Sequence, residues 1–141
     1  MVSQYFQAGA VELWNPATAV ARLFARQVEA VAPIAGVPTG LGPEIGDEYD
    51  IDLPEFTAFV GALVGRYRTA THPVLRALVE PVAAVGIVLV ERAGGSVPEL
   101  TGPAGAMDER NVVVFADGVG PMGDVELLRR AADEMGRAMP W

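Results

Sequence analysis

Residues 71–95, "THPVLRALVEPVAAVGIVLVERAGG", contain the most apolar window of the chain, and their reading decides the fold class. Thr71 or His72 stands where a helix N-cap belongs. Pro73 falls in the first turn, where its missing N–H removes no hydrogen bond. Residues 82–90 are apolar on every side of a helical wheel, which marks a helix buried at the centre of a bundle. That window is nine residues long, set between Glu80 and Glu91-Arg92. A bilayer needs about 20, so no membrane partner is expected. Pro81 should kink this helix or divide it in two, and Gly94-Gly95 should end it.

Working outward, residues 51–70 predict the preceding helix. Asp52 and Glu55 stand in capping-box relation, with Ile51 and Phe56 as a hydrophobic staple. Phe56, Phe59, Val60, Leu63, Val64 and Tyr67 form its stripe. Gly61 and Gly65 lower helix propensity, and their one-turn spacing predicts a neighbouring helix packed closely against them. Residues 14–33, "WNPATAVARLFARQVEAVAP", predict a first helix capped by Asn15 and Pro16 and stopped by Pro33 and Gly36. Its stripe is Val20, Leu23, Phe24, Val28 and Val31, with Arg22, Arg26 and Glu29 off it. The start, "SQYFQAGAVELW", predicts a hairpin about Ala8-Gly9.

Residues 36–50, rich in Gly and Pro, read as a surface loop. Downstream, residues 94–123 read as a loop-rich connection to a last helix over 124–138. The inner stripe of that helix is Val125, Leu128, Ala131, Ala132, Met135 and Met139. "NVVVF", residues 111–115, is a candidate third strand able to pair with the N-terminal hairpin. The expected fold is α+β, mostly α. It is a small bundle of about four helices with an N-terminal β-hairpin, in a single domain spanning 1–141. An all-α bundle with a minor hairpin is the alternative.

The densest polar signal is "IGDEYDIDLPEF", residues 45–56, where Asp47, Glu48, Asp50, Asp52 and Glu55 fall within nine residues. Tyr49, Ile51 and Leu53 alternate with Glu48, Asp50 and Asp52, so an extended segment turns acids outward and apolar groups inward. Asp52 and Glu55 are accounted for by the helix start, where carboxylates also complement the helix dipole. An EF-hand register beginning at Glu48 fails, because Leu53 replaces the glycine and Phe59 the glutamate. Same-face strand neighbours about 7 Å apart repel by roughly 0.6 kcal/mol in water, which a solvated edge tolerates without a cation. No metal site is expected.

"GVGPMG", residues 118–123, matches a dinucleotide-binding glycine pattern. Pro121 removes an N–H that would face a pyrophosphate, and no second strand or acidic ribose ligand follows. It reads as a strand-to-helix loop, and no cofactor is expected. Cysteine is absent, His72 is the only histidine, and Ser3 and Ser96 are the only serines, so no catalytic constellation is assembled locally. Arg66, Arg68 and Arg76 cluster near one helix junction, where they are expected to pair with the acids of 44–50. Tyr5, Phe6 and Trp14 are expected to cover the helices, any exposed remainder marking an interface.

With 18 acids against 10 basic residues the net charge is −8, which disfavours nucleic acid as a partner. All ten basic residues are arginine, the imprint of a GC-rich genome. The N-terminus lacks a signal-peptide pattern, and a cytoplasmic location is expected. The run "SQYFQAGAVELWNP", with "VPTGLGP", "IDLPEFTAFV" and "HPVLRALVE", resembles a small uncharacterised protein family of high-GC actinobacteria over residues 3–95. The resemblance implies a self-contained domain and carries no activity with it.

The functional expectation is a non-enzymatic interaction protein, an accessory, antitoxin or immunity-like factor. It would meet a protein with a basic patch through Glu44, Asp47, Glu48 and Asp50 with Tyr5 and Trp14, or self-associate as a homodimer. The alternative is a small-molecule binder or small enzyme, with Arg66, Tyr67, Arg68 and His72 lining an apolar pocket between the helices.

Overall fold

Two glycines in the same backbone conformation start the sheet. Gly9 and Gly46 have φ of +60° and +61°. Each is the first central residue of a two-residue hairpin loop, closed by Ala8 opposite Val11 and by Ile45 opposite Glu48. That position of a type II′ turn requires positive φ, which glycine adopts at no steric cost. The structure is a computed structural model describing residues 2–112, 114–116 and 118–141. The hairpins are β1 (Tyr5–Ala8) with β2 (Val11–Trp14), and β3 (Leu41–Ile45) with β4 (Glu48–Ile51). They join as one four-stranded sheet in the order β2-β1-β4-β3, with β1 and β4 parallel. A parallel pair needs a long crossover, and helix α1 (Thr18–Ala35) supplies it. Residues 36–50 are therefore largely strand and not the expected loop. Pro43 is tolerated because β3 is an edge strand.

The remaining helices are α2 (Leu53–Thr69), α3 (Pro73–Arg92) and α4 (Val125–Ala138). The fold is α+β and mostly α, as expected. α3 is the central helix. Val79, Val82, Ala83, Ala84, Gly86, Ile87, Val88, Leu89 and Val90 are all buried. By length and mean hydropathy (1.9) it is apolar enough to cross a bilayer, although half of its most apolar 18-residue stretch is buried inside the fold. Pro81 neither divides it nor ends it. Pro81 and Ala77 are both exposed, so the carbonyl that loses its N–H partner lies open to solvent. Gly94, at φ +84°, closes the helix as expected.

Four other expectations are corrected. α1 begins at Thr18, with neither Asn15 nor Pro16 as its cap. A bridge between Ser3 and Ala17 holds the chain extended there, and Thr18 N–H donates to the Val2 carbonyl at 3.2 Å instead. Pro33 lies inside α1, and Gly36 alone ends it, in the left-handed conformation. Val20 and Leu23 are exposed (48% and 59%), and Ala21 takes the buried position. The strand expected over 111–115 is shorter. Asn111 ends a 3-10 turn, Val113 lies outside the described residues, and β5 (Val114–Phe115) pairs with β6 (Gly118–Val119), not with the N-terminal hairpin.

The close helix approach falls on another glycine. A Cβ at Gly86 of α3 would lie 2.6 Å from Val60 of α2, whereas Gly65 has open space and Gly61 abuts the Glu99 carboxylate. Across α3 and α4, Arg129 donates to both Glu91 oxygens at 2.8 Å and to Asp133. Those two carboxylates, Glu91 foremost, raise the Arg129 pKa above its ordinary value.

Candidate functional site

The two faces of the sheet differ in chemistry. Across the inner face, register places Trp14, Phe6, Tyr49 and Glu44 in one row on β2, β1, β4 and β3. Phe6 stacks on Trp14 at 5.2 Å and on Tyr49 at 4.6 Å, and Phe24 of α1 meets Phe6 and Trp14 edge-on. The row ends in a charge. Glu44 accepts from Arg22 of α1 through a two-pronged contact of 3.2 and 2.8 Å, and from the fully buried Gln4. Arg22 accordingly holds the Glu44 carboxyl below the usual carboxylate range, and Glu44 raises Arg22 in return. Burial, followed by the Glu44 charge, pushes the Tyr49 hydroxyl up.

The outer face is acidic. Glu12, Gln7 and Asp50 lie side by side, as do Tyr5, Glu48 and Ile45. Gln7 Nε2 donates to Glu48 at 3.2 Å and to Asp50 at 2.9 Å, so one neutral amide separates two like charges. Glu12, Ile45, Glu48 and Asp50 are exposed, with Asp47 exposed at the adjoining turn. None of the four strands contains an arginine. Of the residues expected to meet a partner, Asp47, Glu48, Asp50 and the half-exposed Tyr5 gather here. Glu44 instead faces α1, and Trp14, 5% exposed, offers no surface.

The family-model comparison covers residues 2–141 and returns a family of unknown function, DUF6086. The chain belongs to that family. The match runs through the tail beyond Ser96, so the C-terminal third belongs to the DUF6086 pattern as much as residues 3–95 do. No curated protein and no solved structure matches the chain.

In this DUF6086 chain the arginines of the helix junction hold backbone carbonyls and do not pair with the acids of 44–50. Arg66 donates to the Ile34 carbonyl and to buried Asp108, both at 3.1 Å. Arg68 takes the Glu99 and Gly102 carbonyls, and Arg76 those of Ala70 and Pro121. Arg92 gathers three, from Leu13, Gly136 and Met139, and lies 4.3 Å over the Trp141 ring. Burial lowers its pKa. These contacts fasten the long α3–α4 connection and the tail to the body. Tyr67 is buried, with its hydroxyl 3.4 Å from Glu80. Arg66, Tyr67 and Arg68, expected with His72 to line one pocket, thus each engage a different part of the fold.

His72 caps α3, its Nδ1 accepting the Leu75 N–H at 3.2 Å. Substituting His72→Ala should cost about 1 kcal/mol in urea denaturation, whereas His72→Asn, which supplies a preferred cap oxygen, should stay within a few tenths. Equal losses in both would show that the cap contributes nothing. Among the described residues no group of three His, Asp or Glu side chains is placed to hold a metal ion. Gly118 and Val119 of the glycine pattern lie in β6, and the Pro121 carbonyl serves Arg76. The feature that sequence reasoning missed is a cleft of about 390 Å³ between α1 and β3. Its only sequence signal was Arg22, Arg26 and Glu29 lying together off the apolar stripe.

Proposed function

We propose that this chain is a non-enzymatic interaction module whose acidic outer sheet face docks a protein with a basic patch. The observation that supports this reading is the uncovered face itself. Glu12, Glu48 and Asp50 sit on one side of a sheet without arginine, at its rim Asp47 adds a fourth acid, and no described element covers them. Their charge is unbalanced locally, whereas Glu44 and Asp108 each have an arginine. Such a one-sign patch attracts a cationic surface from a distance and selects against acidic partners. Tyr5 and Ile45 (69% exposed) place an aromatic and an aliphatic group among the acids, where contact with a partner would exclude water.

The test compares the native chain with the Asp47→Lys, Glu48→Lys, Asp50→Lys triple variant. Each is used to capture partners, and any protein recovered is purified and titrated against both. The native chain should bind it with strong salt dependence. The variant should lose at least tenfold in association rate, and its melting temperature should hold, since all three side chains are exposed. Equal binding by the two proteins would discard the reading.

A further inference from the structure

The cleft between α1 and β3 lies on the opposite side of the sheet from the acidic face. Its volume falls within the range of small-molecule sites. Ala25 and Leu41, both partly exposed, give it an apolar floor with the fully buried Val28 beneath, and Arg22, Arg26, Glu29 and Glu44 stand around it. Tyr49 closes one wall and is itself held at the end of the Trp14–Phe6–Tyr49 stack, so the wall is fixed before any ligand arrives. The two arginines are one helical turn apart but not equivalent. Arg22 is occupied by Glu44. Arg26 makes no hydrogen bond or ion pair among the described residues, although the chain carries 18 acids for 10 arginines. An unoccupied guanidinium fork beside an apolar floor is a receptor for a planar anion with a hydrophobic body.

We infer that this cleft binds a small aliphatic monocarboxylate, its carboxylate on Arg26 and its chain over Ala25 and Leu41. The charge balance selects the class. Glu44 already occupies Arg22, so the Arg26 fork is the one place in the cleft for an added negative charge, and it takes a single carboxylate. A phosphate dianion would bring a second negative charge into a cleft that already holds Glu29 and Glu44. A cation would meet Arg26, and a neutral alcohol would leave its fork unused. The Arg22–Glu44 contact across the cleft is itself an arginine–carboxylate pair of the kind proposed for the ligand.

Hexanoate, hexylamine, hexanol and inorganic phosphate serve as probes in an NMR titration of the whole chain. Hexanoate should shift the Ala25 and Leu41 methyls and the Gly42 amide saturably. Arg26→Gln should weaken it tenfold or more, whereas Arg130→Gln, an exposed change on α4, should leave it unaltered. Hexylamine, hexanol and phosphate should each bind at least tenfold more weakly than hexanoate. The inference is overturned if hexanoate gives no saturable shifts at the cleft. It is equally overturned if Arg26→Gln binds as tightly as the native chain, or if another probe equals hexanoate. The outer-face lysine variant should bind hexanoate normally, so failure here and failure of the interaction reading register separately.

Discussion

Truncating Phe6 to alanine should cost about 3–5 kcal/mol, lowering the melting temperature by roughly 10–20 °C. Phe6 is fully buried and is the one ring in contact with three others, Trp14 and Tyr49 of the inner row and Phe24 of α1. Alanine there loses the transfer energy of a buried ring and leaves a cavity that the flanking rings cannot fill, being held by their own strands and helix. Each aromatic contact adds about 0.5–1.5 kcal/mol beyond area burial. Because Phe6 ties β1 to β2, β4 and α1 together, its loss bears on the whole sheet. Domains of this size are stable by only about 5–15 kcal/mol, so the variant should sit close to unfolding at physiological temperature. Tyr5→Ala, one residue away on the opposite face and half-exposed, should cost no more than about 1 kcal/mol. Urea denaturation of both variants checks the prediction. A Phe6→Ala loss under about 1 kcal/mol would mean that the stack does not organise the sheet.

Most of the helical half of this fold was legible, because its signals are local. The Asp52 side chain accepts the Glu55 N–H at 3.1 Å where the capping pattern placed it, and α3 is buried where its wheel is apolar all round. The sheet was less legible because its decisive pairing is not local. The alternation of Glu48 to Ile51 was readable as an extended segment. Its place beside Tyr5–Gln7 depends on a parallel pairing across the length of α1, for which the sequence holds no turn signal. The α1 start was misplaced for a related reason, a bridge from Ser3 overriding a good Asn-Pro cap. Arginine pairing was misassigned because acids are visible in a sequence and free carbonyls are not. Arg66, Arg68, Arg76 and Arg92 found carbonyls left free at the end of α1, in the connections and on the edge strand β2, which only the folded chain displays. The cleft escaped notice because one of its walls, β3, read as loop.

Gly40→Ala and Gly36→Ala form a matched pair that separates crowding from backbone strain. Both glycines have φ of +71°, where an L-residue pays about 1–2 kcal/mol. At Gly36 a Cβ meets nothing within 4 Å, so that cost is the whole expected loss. At Gly40 the same Cβ would press on the Phe56 backbone nitrogen and lie 2.9 Å from both the Asp52 oxygen and the Glu55 carbonyl carbon. These are main-chain atoms of the first turn of α2 and cannot rotate away. Adding an overpacking cost of about 1–3 kcal/mol puts Gly40→Ala at about 2–5 kcal/mol. The damage should also be local. The Asp52 N–H donates to the Gly40 carbonyl at 2.8 Å, and the Phe56 N–H to the Asp52 carbonyl at 2.8 Å. Amide exchange at Asp52 and Phe56 should therefore accelerate in Gly40→Ala and stay native-like in Gly36→Ala. Equal stability losses, or unchanged exchange at those two amides, would mean that the 36–40 segment does not rest on the start of α2. The sheet would then be joined to the helices through its aromatic row and the arginine contacts to Glu44 and the Leu13 carbonyl.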